Sequence, residues 1–161
     1  IALFIIGLIW LGWYMVDLTY FDRWANESLR WHKALGLIVL VPASGNILWM
    51  VCNPAPALPE SIARWQQAAA RMVHYSLVAM MLLLPISGYV ISTSAGQAVE
   101  IFGWFKVPAL VEIDTGLRDL AIRTHYYLAY GCAVLAVAHA LAAIKHQFID
   151  KDETLAKMLW R

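Results

Sequence analysis

The chain has 161 residues and a net charge of +1; 61% of it is hydrophobic and only 14% is charged. A soluble domain carries roughly 25% charged residues, and one this small cannot hide so much apolar surface from water. With no basic cluster to attract a polyanion, nucleic-acid binding is excluded, and the partner that suits most of the chain is a lipid bilayer.

Uncharged windows organise the sequence. They cover residues 1–16, 34–59, 72–99 and 124–144. A hydrocarbon core of about 30 Å takes roughly 20 helical residues, which the last three windows supply. Lipid offers no hydrogen-bond partner to the backbone, so each window is expected to be helical. The predicted helices are about 1–20, 33–52, 68–93 and 121–147. The first begins inside an apolar run without a methionine and is read as a spanning helix truncated at its N-terminus. A cleaved signal peptide would show a basic n-region and a small-residue cleavage site, and neither is present. The fold class expected is all-α: a transmembrane four-helix bundle forming one membrane-embedded domain over 1–161.

The connections are short. Residues 21–31 join the first two helices, and 53–67, with three prolines, join the second pair. The longest link, 94–120, contains an apolar aromatic stretch at 101–110 that is too short to span and suits the membrane interface. Trp24, Trp31, Trp65 and Trp104 fall near predicted helix ends, as an interfacial aromatic belt requires. Pro42 and Pro85 fall inside helices and are expected to kink them. Charge leaves the orientation open, because Lys and Arg divide equally between the two sides.

Cys52 and Cys132 form no CxxC or CxxCH motif, which excludes covalent c-type haem attachment. They belong to different membrane depths and are read as packing thiols rather than a disulfide.

Five histidines carry the chemistry: His32, His74, His125, His139 and His146. His125 and His139 are fourteen residues apart on the fourth helix. Fourteen steps of 100° miss four turns by about 40°, so the two share a face, separated by about 21 Å along the axis. His32, at the start of the second helix, matches the depth of His125 and can face it across the bundle. Paired imidazoles between packed helices suit the axial positions of haem b. His139 needs a partner at the other level. Within the chain that is His74; the alternative is a histidine on the missing start of the first helix. His146, beside Lys145, is either an ordinary interfacial histidine or a proton or quinone contact. Small residues around the fourth-helix histidines, such as Gly131, Ala136 and Ala140, leave room for a ring or a close helix. Arg30, Arg118 and Arg123 lie on the His32 side and could meet haem propionates.

The segments GWYMVDLTYFD (12–22), WHKALG (31–36), NPAPALP (53–59), FGWFKVPA (102–109) and THYYLAYGCAVLAVAHALAAIKHQFIDKDETLAKM (124–158) resemble the bacterial cytochrome b561 family. These are di-haem, four-helix membrane cytochromes related to the b subunits of nickel–iron hydrogenase and formate dehydrogenase. The resemblance spans essentially the whole chain. It implies that His32 and His125 hold the periplasmic-side haem and that His139 holds the cytoplasmic-side one. The family partner of His139 is a histidine just before Ile1, which favours truncation over a His74–His139 pair. His146 and Lys151 match positions near a quinone, and His74 is left as an outer contact. Asn46 and Met50 stand where relatives often carry arginines, a departure at the inner end of the second helix.

The resemblance further implies a bacterial inner-membrane protein with both termini cytoplasmic and two haems b with irons about 20 Å apart. The activity expected is transmembrane electron transfer coupled to ubiquinone, in the manner of a superoxide:ubiquinone oxidoreductase, with a periplasmic donor or small periplasmic partner protein. Lys106, Arg118 and Arg123 could steer an anionic donor. The alternative is a cytochrome b subunit that accepts electrons from a docked dehydrogenase or hydrogenase. A non-redox scaffold or transporter would use the same histidines as hydrogen bonders or proton relays.

Overall fold

A computed structural model describes residues 1–53 and 63–150. Four helices dominate: α1 (Ala2–Asp17), α2 (Ala25–Cys52), α3 (Arg64–Thr93) and α4 (Thr115–Lys145). A hairpin of β1 (Val99–Ile101) and β2 (Phe105–Val107) separates α3 from α4, and a single π-helical turn, His146–Asp150, ends α4. Three of the described helices, α2, α3 and α4, are long and apolar enough to cross a membrane; α1 is apolar but shorter.

The helices pack in chain order, α1 on α2, α2 on α3 and α3 on α4, and α1 also touches α4. Close approach is allowed by small residues: Ser28, Ala34 and Ala43 of α2 and Ala143 of α4 are buried. Large apolar side chains point outward instead. Leu3, Trp10, Val41, Leu48, Val134 and Leu141 are each more than half exposed. In water such a surface would drive aggregation, whereas in hydrocarbon it costs nothing and packing falls to the small residues.

The helices depart from the expected boundaries at the end where His32 lies. Instead of starting near 33, α2 starts at Ala25, so His32 and Trp31 lie nearly two turns inside it. Likewise α4 starts at Thr115, where the Asp114 carboxylate caps the Leu117 N–H at 3.0 Å. Both extensions are polar helix, which a search for uncharged windows leaves out. Pro42 and Pro85 lie within unbroken α2 and α3. Beside each, a serine hydroxyl binds a carbonyl of its own helix: Ser44 to Leu40 at 2.8 Å and Ser87 to Leu83 at 2.7 Å.

The expected interfacial stretch at 101–110 is the hairpin and its exit. Its loop is three residues, 102–104, in which Phe102 and Gly103, both with positive φ, are the central residues of a turn closed by the Trp104 N–H on the Ile101 carbonyl at 2.9 Å. Val99 and Ile101 are buried with Ala34 and pack on Leu37 and Ile38, which holds the hairpin against α2. Trp31 meets Phe102 with ring centroids 4.7 Å apart. In the α1–α2 link, the Thr19 N–H and hydroxyl both donate to Asp22 and hold its carboxyl below the usual range.

The Tyr89 hydroxyl pins the segment after the hairpin: it donates to the Pro108 carbonyl at 2.6 Å and accepts from the Leu110 N–H at 3.0 Å. Tyr89→Phe should lose both bonds at a cost of about 1–2 kcal/mol. Limited proteolysis should then cut the 108–114 segment faster while the helices stay protected; equal cleavage of wild type and variant would contradict this account.

Candidate functional site

Two pairs of imidazoles lie between the helices. His32 of α2 and His125 of α4 have ring centroids 6.2 Å apart, with an interplanar angle of 79°. His74 of α3 and His139 of α4 are closer, at 5.0 Å and 68°. Lipid-facing imidazole is costly, which fits the part-buried placement of His32, His125 and His139, whereas His74 is exposed. Among the described residues no three His, Cys, Asp or Glu side chains converge, so only paired coordination is on offer.

Glycines set the first pair. A Cβ on Gly12 of α1 would stand 3.2 Å from Cε1 of His32, and one on Gly88 of α3 would stand 3.3 Å from Cε1 of His125. In both cases Nδ1 is the other ring atom near the glycine, at 3.7 Å, so Nε2 is turned away from it. The same turn recurs on both supporting helices. The Leu8 carbonyl, four residues before Gly12, faces the His32 ring, and the Leu84 carbonyl, four before Gly88, faces that of His125. The helices differ one residue before the glycine. There α3 carries Ser87, whose Oγ is 2.9 Å from Nδ1 of His125, while α1 carries Leu11. Nδ1 of His32 is buried and has no hydrogen-bond partner among the described residues.

These distances test the fit of a shared metal. An imidazole nitrogen sits about 2.0–2.1 Å from a first-row metal ion, so two rings bound on opposite sides have centroids roughly 6–6.5 Å apart. The His32–His125 separation satisfies that condition. The His74–His139 pair falls short of it by roughly 1 Å, so His74 as placed is a neighbour of His139 rather than its opposite ligand.

At the end of α4, Asp150 Oδ2 gathers two cations or donors: Lys145 Nζ at 2.6 Å and His146 Nδ1 at 2.9 Å. The π-helical turn brings them together, a distortion often found at functional positions. Lys151 lies outside the described residues. On the opposite side of the bundle, Arg30 is bonded to Glu27 at 2.8 Å, and with Lys33 it lines a cleft of about 200 Å³ between α2, α3 and the hairpin. Cys52 is exposed, Cys132 is buried, and both are free thiols.

The sequence reading missed Gly12, Ser87 and Gly88. It looked for small residues on α4, where a Cβ on Gly131 would meet nothing. The available signal was a serine and glycine two and three residues after a proline, inside an apolar helix that has no need of either.

An apolar helical bundle holding paired imidazoles at two levels is, as a class, a membrane cytochrome of the b type. The chain belongs to the prokaryotic cytochrome b561 family, whose model matches residues 1–161. Members are membrane electron-transfer proteins that hold haem b. The chain is 38% identical over 158 residues to "Cytochrome b561 homolog 2" of Escherichia coli (strain K12), covering 98% of this chain and 84% of the relative. It is 31% identical over 130 residues to "Cytochrome b561 homolog 1" of the same organism, covering 81% and 73%. It is also 27% identical over 167 residues to "Probable superoxide oxidase CybB" of Yersinia pestis, covering 96% and 92%.

Gly88→Ala separates the cradle from the helix. Alanine should favour the helix by about 1 kcal/mol. Its methyl should push the His125 ring by a few tenths of an ångström and weaken haem retention. Thermal unfolding and haem per chain, measured together, should move in opposite directions.

Proposed function

We propose that this chain, as one membrane-embedded domain, passes single electrons across a bacterial inner membrane through two b-type haems and delivers them to ubiquinone. The observation that carries the reading is the His32–His125 pair: two rings from different helices, 6.2 Å apart, each seated on a glycine. When bound, each haem supplies a one-electron Fe(III)/Fe(II) couple.

The protein's part is to hold, orient and exclude water. His32 and His125 would hold one haem. His139 would hold the second, about 21 Å along α4. The apolar helices keep water from both levels and make the local dielectric low. Arg30 and Lys33 lie where haem propionates or an anionic donor would be neutralised. Reducing a quinone takes two electrons and two protons. His146, held through Nδ1 by Asp150, and Lys151 would be the proton-bearing groups near the cytoplasmic surface. This orientation puts both termini in the cytoplasm and the hairpin toward the periplasm. Superoxide as the donor is supported by the printed name of the Yersinia pestis relative and by the cationic groups near His32.

Redox-difference spectra with haem quantification test the reading. Wild type should carry two haems per chain, with reduced b-type bands. His125→Ala should lose one and keep the other, and His139→Ala should lose the complementary one. Folded wild-type protein without haem would defeat the proposal. His146→Ala should keep both haems and slow quinone reduction.

A further inference from the structure

Ser87 has a single hydroxyl proton and three polar neighbours. Its Oγ lies 2.7 Å from the Leu83 carbonyl, 3.0 Å from the Leu84 carbonyl and 2.9 Å from Nδ1 of His125. Carbonyls only accept, and with Nε2 of His125 given to a metal, Nδ1 carries the one ring hydrogen, so the hydroxyl proton goes to its own helix. What Oγ turns toward His125 is a lone pair. A lone pair facing Nδ1 is favourable only if Nδ1 carries the hydrogen. Neutral imidazole has one N–H, so a proton on Nδ1 leaves Nε2 bare. Nε2 is also the nitrogen turned away from Gly88.

From this network, and resting on the haem-binding reading above, we infer that Ser87 is a positioning residue: it fixes the Nδ1–H tautomer of His125 and thereby lowers the reduction potential of the haem that His125 holds. A hydroxyl that donates to a carbonyl becomes a better acceptor, so the bond from Nδ1–H is strengthened by its neighbour. Drawing that proton outward adds electron density to the ring and favours the ferric over the ferrous state. His32 has no such bond among the described residues, because Leu11 occupies the equivalent place on α1. The two ligands are therefore unequal: Nδ1 of His125 meets a hydroxyl, whereas Nδ1 of His32 has no hydrogen-bond partner among the described residues.

The test is a potentiometric titration of the purified holoprotein in detergent, with haem per chain measured on each sample. Ser87→Ala should raise the midpoint of one haem and leave the other unmoved. The expected change is a threefold to tenfold shift in the oxidised-to-reduced ratio at the wild-type midpoint, tenfold being about 59 mV for one electron. Ser87→Thr, which keeps the hydroxyl, should stay near the wild-type value. Ser44→Ala removes the same kind of serine-to-carbonyl bond from α2 without touching a histidine, and should shift neither midpoint. If Ser87→Ala loses one haem and Ser87→Thr retains it, the orienting role stands. If both lose it, or if Ser87→Ala keeps both haems at unchanged midpoints, the inference is overturned while the haem-binding reading survives. A wild-type protein without haem would overturn both.

Discussion

An imidazole inside hydrocarbon is the constraint round which this bundle is built. Its ring nitrogens cannot reach water, so each must find a polar partner or a metal on a neighbouring helix. The outer faces of the helices have no such requirement, and their leucines, valines and tryptophans stand against the surroundings with little internal packing. Helix association must then come from close backbone approach and from the few polar contacts inside. The positions of Ala34, Ala43 and Ala143 supply the first, and the histidine pairs supply the second.

The two levels are not copies of one another. At the His32 level the rings are spaced as opposite ligands of one metal, and glycines on α1 and α3 hold them there. At the His139 level the neighbouring ring, His74, stands too near for that role. The two ring pairs therefore differ in separation, 6.2 Å at one level and 5.0 Å at the other. The hairpin adds a further asymmetry: it packs on α2 about Ala34, two residues from His32, so one end of the bundle is covered by folded chain. The other end of α4 closes instead in a polar turn where Lys145 and His146 share one carboxylate oxygen.

Much of this was legible in the residues alone. The absence of charge over three long windows forces spanning helices, because an unpaired backbone group in lipid costs several kcal/mol. The fourteen-residue interval from His125 to His139 fixes a shared helix face, and the short links fix which helices are neighbours. Less legible were the helix starts at Ala25 and Thr115, since polar helical turns outside lipid carry no apolar signature. The hairpin was hidden for a related reason. Its strands are three residues each, too short for alternation to register, and Phe102 is an unusual residue at a positive φ.

Sequence by itself determined the solvent, the helical class and the levels at which imidazoles stand, because hydrophobicity and helical rise are local properties that add along the chain. Tertiary structure alone decided what each imidazole touches. That Gly12 lies under His32, that Gly88 and Ser87 lie against His125, and that His74 stands beside His139 depends on the rotation and offset of helices far apart in sequence. Those offsets are fixed only when all the small residues meet at once, and no single segment contains the information.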